Sequence, residues 1–415
     1  MKVLWFEVTE PSAYSSEGSP IGGWQDSLER IVRTVPEIEL MIAFVSDKYS
    51  EVKVVNGVTY IPIYAHWSLF EWKFCKYWDT YIKKVLPQAK CIVEKYKPNL
   101  IHIFGTEWPF GQIATYTNIP VVIHVMGSIV PYNNANYPPG YSFSSSVLHC
   151  WWNPKKVWES FIDKRNLKNR ELWERSTWKV VDNYMGRTQW DCALSRIMHP
   201  ERRYFHVEEA LRKEFVSGNH QWKRPKDNKL RLFSTGCSTF WKGPDMMLKV
   251  AKILTDLGVD FEWQIAGSMT DSIKKYVEKR EKTRFEDNHI CILGYKQPAE
   301  FIEILCSSTM YVHTAYIENS PNSICEAQCL GVPVVSTNVG GIASLVRNGI
   351  DGILVPANDP WQMADAIVQL AGDGDKMESF SENSRVFALQ RHDDEHIKAQ
   401  LLECYHMVSG LRLAE

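Results

Sequence analysis

Short apolar runs punctuate the chain at intervals that leave room for a helix between them. In the first half they read VLWF, ELMIAFV, LIHIF, VVIHV and NYMG. In the second half they read LRLFSTG, FEWQIAG, HICILG, MYVHTA, PVVST and GILVP. The runs are β-branched or aromatic and bounded by Gly, Pro or polar turns, the pattern of strands buried on both faces. Between them, stretches such as DMMLKVAKILTDLG and AEFIEILCSS carry the helical period. Strand and helix in alternation predict an α/β protein whose parallel sheets are covered by helices on both faces.

The alternation occurs twice, with one break. Ser217 to Lys229, SGNHQWKRPKDNK, is polar, contains a proline and has no period, so it reads as a linker. The expected division is a first domain over 1–216, the linker over 217–229 and a second domain over 230–391, with a last helix from about His392 to Leu411. A chain of 415 residues fits two or three domains.

Composition narrows the class. Hydrophobic residues are 45% of the chain and the net charge is −2, so large cores are available and a nucleic-acid partner is not expected. The ten cysteines are scattered without a CxxC pair, which reads as a reduced, cytoplasmic protein. Cys325 and Cys329 lie one helical turn apart and read as packing. The start, MKVLWFEVTE, reads as a strand rather than a signal peptide, and no apolar run is long enough to span a membrane. Leu69–Val85 and Trp151–Val180 are helical in period and rich in aromatic and basic residues. They fit either surface helices with snorkelling lysines or a face for an acidic membrane, which would make the protein peripheral at the inner face.

Ligands of open parallel sheets sit beyond the carboxyl ends of the strands. Glu318 lies just past MYVHTA, and His124 near the end of VVIHV. Gly22 and Gly23 follow the first strand and open a helix, where they allow close approach to a phosphate or sugar. In ENSPNSICEA, Ser320 reads as a helix N-cap and Pro321 as the first helical residue. The amides of Asn322 and Ser323 would then form an anion site. Glu318 and Glu326 flank this helix start. They fit either plain complementation of the helix dipole or a nucleotide sugar: amides for the diphosphate, one carboxylate for the sugar, one for the ribose hydroxyls.

Tyr316 to Pro356, YIENSPNSICEAQCLGVPVVSTNVGGIASLVRNGIDGILVP, resembles the E-x7-E region of the group 1 (family four) retaining glycosyltransferases. IGGWQDSLE is similar to that family's Gly-Gly loop, WKGPDMMLKVA to its Lys-Gly helix, and CILGY, ending at Tyr295, to its strand near the nucleobase. The resemblance implies the GT-B arrangement, two Rossmann-like domains facing across a cleft, the first on the acceptor side and the second binding the nucleotide sugar, with the C-terminal segment 392–415 packing back on the first. It implies that Glu318 meets the donor sugar, Glu326 the ribose and Lys242 the diphosphate, without a metal or other cofactor. The one Asp-x-Asp, Asp373-Gly374-Asp375, reads as a turn. The family's usual arginine before the lysine is Cys237 here, and its usual histidine before glycine is Met126, with His124 two residues earlier on the same strand face. Arg187, at the end of NYMG, is the expected substitute cation.

The resulting expectation is a retaining transferase that moves a sugar from a UDP- or GDP-linked donor to a hydroxyl of a saccharide or lipid-linked acceptor. Its rivals are a catalytically decayed nucleotide-sugar-binding subunit and a nucleotide-sugar epimerase.

Overall fold

The computed structural model describes residues 1–14, 24–66, 77–227 and 229–411. The Gly22–Gly23 pair and residues 69–76 of the first aromatic segment lie outside the described residues. The chain forms two compact units. One comprises Met1–Asn133, Lys155–Ala210 and Asp393–Glu415, the other Asn134–Pro154 and Leu211–His392. This differs from the expected division in two places. Residues 134–154 group with the second unit because Tyr141 is buried in its core. The second unit also begins at Leu211, since Leu211, Phe215 and Trp222 all belong to that core, so part of the expected linker is packed rather than free.

The first unit is built on eight strands: β1 (Lys2–Glu7), β2 (Glu39–Ser46), β3 (Lys53–Val55), β4 (Val58–Tyr64), β5 (Leu100–Phe104), β6 (Val121–His124), β7 (Asn183–Gly186) and β8 (Arg203–His206). Their order is β3-β4-β2-β1-β5-β6-β7-β8. All neighbours are parallel except β3 and β4. Those two form a hairpin through Asn56 and Gly57, whose φ of 52° and 83° are the left-handed pair that a tight hairpin turn requires. The Asn-Gly signal was present in the sequence, but β3 is exposed and carries no apolar run. β8 escaped for the same reason, being an edge strand with no fully buried residue. The last helix, Asp394–Ser409, lies against β1 and β5 through Tyr405. The Tyr405 hydroxyl accepts from Trp5 Nε1 at 2.9 Å and meets His102 Nδ1 at 2.8 Å. Burial holds His102 neutral, its pKa lowered to about 3.

The second unit is a six-stranded parallel sheet in the order β11-β10-β9-β12-β13-β14. The strands are β9 (Leu230–Thr235), β10 (Phe261–Ala266), β11 (Ile290–Gly294), β12 (Met310–His313), β13 (Val334–Thr337) and β14 (Ile353–Val355), the six apolar runs of the second half. Every residue of β12 and β13 is buried, as expected for central strands sandwiched by helices. Polar side chains inside this core tie the strands together: Trp263 Nε1 donates to Ser234 Oγ at 2.9 Å, and that hydroxyl donates to the Val312 carbonyl at 2.6 Å.

Both sheets reverse their strand order once, between β1 and β5 in the first unit and between β9 and β12 in the second. At such a point the chain leaves on opposite sides and opens a crevice beyond the carboxyl ends.

Tyr405→Phe removes the shared partner of two buried nitrogens. Leaving them unpaired destabilises by about 1–3 kcal/mol, and the variant is expected to unfold at lower urea, followed by circular dichroism.

Candidate functional site

The chain after β9 and the chain after β12 meet in the second unit's crevice. The first path turns through a short helical segment, Phe240–Lys242, and enters the helix Pro244–Asp256 at Gly243. Gly243 has φ of +72°, and a Cβ there would lie 2.0 Å from the Thr314 carbonyl oxygen. Only glycine lets these backbones come so close. They are joined by Tyr316 N to Trp241 O at 2.7 Å and Thr314 Oγ1 to Lys242 O at 3.0 Å. The outcome is an ion pair between Lys242 Nζ and Glu318 Oε1 at 2.6 Å. Glu318 Oε2 is shut off from water and has no hydrogen-bond partner among the described residues. Glu318 is itself fixed from below. Gly341 N donates to its carbonyl at 2.9 Å, and Gly340, at φ +52°, would place a Cβ 1.8 Å from that oxygen.

The helix that follows is Asn322–Leu330. Its start is one residue later than expected. Pro321, with an extended ψ of 115°, is the N-cap rather than the first helical residue, and it supplies no side-chain cap. Asn322 and Ser323 are the half-buried first residues of the helix. Ser323 Oγ accepts from the Tyr311 hydroxyl at 2.7 Å, which also meets Thr235 Oγ1 at 2.7 Å. Glu326 is buried, and Arg212 Nε and Nη2 both donate to its Oε1 at 2.9 and 2.7 Å. Arg212 in turn stacks over the Phe215 ring at 4.6 Å. His313, at the end of β12, is buried and kept neutral, its pKa lowered to about 3 by burial and then by the Lys242 charge.

Two expectations need correction. His124 is fully buried in β6, stacked 5.6 Å from His102. Burial, with Arg187 and His102 nearby, depresses its pKa well below the usual range, so it is a neutral core histidine rather than a residue open to a substrate. Arg187 is 4% exposed and lies 3.0 Å from Glu209, which is 1% exposed; sealed in the core with its partner, it is not a substitute for the family's arginine. Cys237 is a core residue whose thiol burial pushes up to about 12. An arginine at this place would bury an unpaired charge, at a cost of several kcal/mol. Tyr295 is 55% exposed, just past β11, a strand separated from β9 by β10. Asp373 caps the helix Gly374–Arg391 by accepting from Lys376 N at 3.0 Å.

Residues 217–387 match the family described as glycosyl transferases group 1. Over those residues the chain is similar to the group 1 glycosyltransferases. D-inositol 3-phosphate glycosyltransferase of Corynebacterium urealyticum is 29% identical over 170 residues, 40% of either chain. The alignment thus spans about two fifths of that relative's length. Over 99% of both chains the fold matches sucrose-phosphate synthase of Thermosynechococcus elongatus, with a TM-score of 0.74 at 15% identity. Anabaena HepE, solved in complex with UDP and glucose, matches over 98% of this chain and 99% of its own, with a TM-score of 0.65 at 15% identity. The fold is therefore GT-B, with two parallel-sheet α/β units.

The sequence reading missed Arg212, Tyr311 and Thr235. Arg212 is far from Glu326 along the chain and no spacing rule connects them. Tyr311 shares a strand face with His313, but its hydroxyl's partners on β9 and the helix are set by tertiary packing.

Gly340 and Gly349 separate backbone strain from collision, since both have positive φ but a Cβ at Gly349 meets nothing within 4 Å. Gly349→Ala is expected to destabilise by about 1 kcal/mol. Gly340→Ala is expected to lose about 2–4 kcal/mol through the added clash. Thermal melts measure both effects.

Proposed function

We propose that the chain moves a sugar from a nucleoside diphosphate sugar to a hydroxyl of a saccharide or lipid-linked saccharide, with retention at the anomeric carbon. The observation that carries this reading is the Lys242–Glu318 pair at the second unit's switch point, held to the strand ends by Gly243 and Gly340. Lys242 places a cation where a diphosphate would gain charge on leaving. Glu318 keeps a buried, unpartnered oxygen for sugar hydroxyls, and a buried acceptor of this kind gains most from a hydrogen-bond donor.

In this reading the acceptor oxygen bonds to the anomeric carbon as that carbon's bond to the diphosphate oxygen breaks. The electron pair leaves with the diphosphate, which takes the acceptor's proton. The protein positions the partners and stabilises the leaving charge with Lys242 and the helix start at Asn322–Ser323. Glu326, oriented by Arg212, holds the ribose hydroxyls. These protein groups supply the charge that a bound metal would otherwise provide. HepE's complex with UDP favours a uridine donor, with a GDP-linked sugar as the alternative.

Lys242→Ala is expected to lower kcat/KM at least ~10²-fold, since one preorganised charge contact is typically worth that much. Glu318→Gln is expected to lower turnover about as far with UDP affinity nearly unchanged. A panel of UDP- and GDP-sugars with saccharide acceptors, read by nucleotide release and product mass, tests both. Full transfer by Lys242→Ala would remove the diphosphate from this loop. A changed sugar without transfer would indicate an epimerase, and binding without either reaction a decayed subunit.

The acceptor side adds a second expectation. No helix among the described residues is long and apolar enough to cross a membrane. The helix Pro154–Val180 and its approach nevertheless expose Trp151 (71%), Trp152 (60%) and Phe161 (54%). Trp151 to Arg187 holds nine Lys/Arg against five Asp/Glu, a local excess that anionic lipid attracts. The protein is expected to sediment with anionic vesicles at low salt and to be released at high salt. Absence of binding at low salt would indicate a soluble saccharide acceptor.

A further inference from the structure

The first unit has its own switch point, and a carboxylate stands beyond it. β5 ends at Phe104 and is followed by Gly105, Thr106, Glu107 and Trp108. Its neighbour β6 ends at His124 and leads to Gly127 and Ser128. Glu107 occupies a notch that exists because two residues lack side chains. A Cβ on Gly105 (φ +85°) would lie 2.3 Å from Glu107 Oε2, and one on Gly127 would lie 3.0 Å from Oε1. Aromatic surface borders the notch: Trp108 lies 3.6 Å from the first of these Cβ positions and the Tyr132 ring 3.6 Å from the second. Glu107, Trp108 and Tyr132 are all half-buried, so solvent reaches the residue, yet Oε2 is shut off from water without a hydrogen-bond partner among the described residues.

The neighbouring Glu174 shows what a structural carboxylate looks like in the same place. It accepts from Thr106 Oγ1 at 2.6 Å, Ser128 Oγ at 2.9 Å, and the amides of Ile129 and Val130 at 3.0 Å each. Those bonds tie the β5 and β6 loops together and account for its burial. Glu107 is held only by the loop amides of Thr106 and Glu107 itself, its Oε2 stays without a partner among the described residues, and leaving a buried carboxylate oxygen unpaired is costly. A carboxylate with open acceptor capacity, beside aromatic faces and beyond the strand ends, matches the hydroxyls and C–H faces of a sugar.

We propose that Glu107 is an acceptor-side binding residue, a carboxylate that accepts hydrogen bonds from hydroxyls of the saccharide receiving the sugar. This rests on the transferase reading above, with the acceptor on the first unit as the family resemblance implies. Titration supports the assignment. Burial, then the Glu174 charge, push the Glu107 carboxyl up to about 7, against Arg170 and the loop amides that pull it down. Arg170 stacks over Trp108 at 5.2 Å and is the cation facing this pair. The carboxylate form, the better acceptor, therefore grows in as pH rises through about 7.

The test compares wild type with Glu107→Gln, which keeps the size of the side chain. The expected result is a loss of about 10–100-fold in kcat/KM for the saccharide acceptor, the worth of a charge-assisted hydrogen bond. UDP affinity and hydrolysis of the donor by water stay within about twofold. The wild-type KM for acceptor falls between pH 6 and 8, and the variant's profile is flat. Acceptor kcat/KM within threefold of wild type overturns the assignment. Equal loss of UDP affinity and donor hydrolysis also overturns it, since Glu107 would then be structural. If wild type turns over no nucleotide sugar, the transferase reading fails, and a saccharide array decides the site by itself. Binding by wild type that Glu107→Gln loses supports the site; equal binding, or none by either protein, overturns it.

Discussion

The candidate site depends on how closely two backbones can approach. The segments after β9 and β12 touch because Gly243 and Gly340 present no Cβ to the Thr314 and Glu318 carbonyls. That contact places Lys242 and Glu318 in one ion pair at the edge of a sheet whose central strands are wholly buried. Neither side chain is free to wander, because each backbone is pinned by hydrogen bonds to the other or to the Gly340–Gly341 turn. A charge contact held this way needs little reorganisation when charge develops beside it, which is the physical basis of electrostatic catalysis.

The rest of the second unit serves the same end. Tyr311 links Thr235 on β9 to Ser323 on the following helix, so the helix start is tied to both switch strands. Asp245, fully buried, is held by Tyr316 at 2.9 Å and by Lys249 at 3.0 Å, which fixes the helix after Gly243 to the segment that carries Glu318. Arg212 holds Glu326 from outside the motif. A single motif thus acquires its geometry from contacts with two strands, a helix and a preceding segment, and those contacts have no local sequence signature.

Much of this was legible in the chain. Most buried strands declared themselves through short apolar runs, since a strand covered on both faces has to be apolar throughout; β4 is mostly buried yet went unread, its run broken by Thr59 and Pro62. β3 and β8 did not declare themselves either, because exposed edge strands carry no such run. Glu318, Glu326 and Lys242 were readable as a motif, and the structure brings Glu318 and Lys242 together. His124 and Arg187 were misjudged for one common reason. A residue at or just past a strand end can face a crevice or a core, only the packing decides which, and both of these are in a core. Glu107 carried no signal at all, because its setting depends on glycines from two strands that are neighbours only in the sheet.

The path of the chain has a consequence for how the molecule is made. Residues 134–154 belong to the second unit although both flanking segments belong to the first, and the first is completed only by residues from Asp393 onward. The polypeptide therefore passes between units four times. Multidomain chains commonly fold their N-terminal part first as it emerges, but here the first unit waits for Tyr405, which fills the space over Trp5 and His102. The second unit is complete in sequence before the first one is. No single cut of the chain separates the two: the first unit alone requires the removal of two internal segments, 134–154 and 211–392, and the second requires the removal of both ends and of residues 155–210.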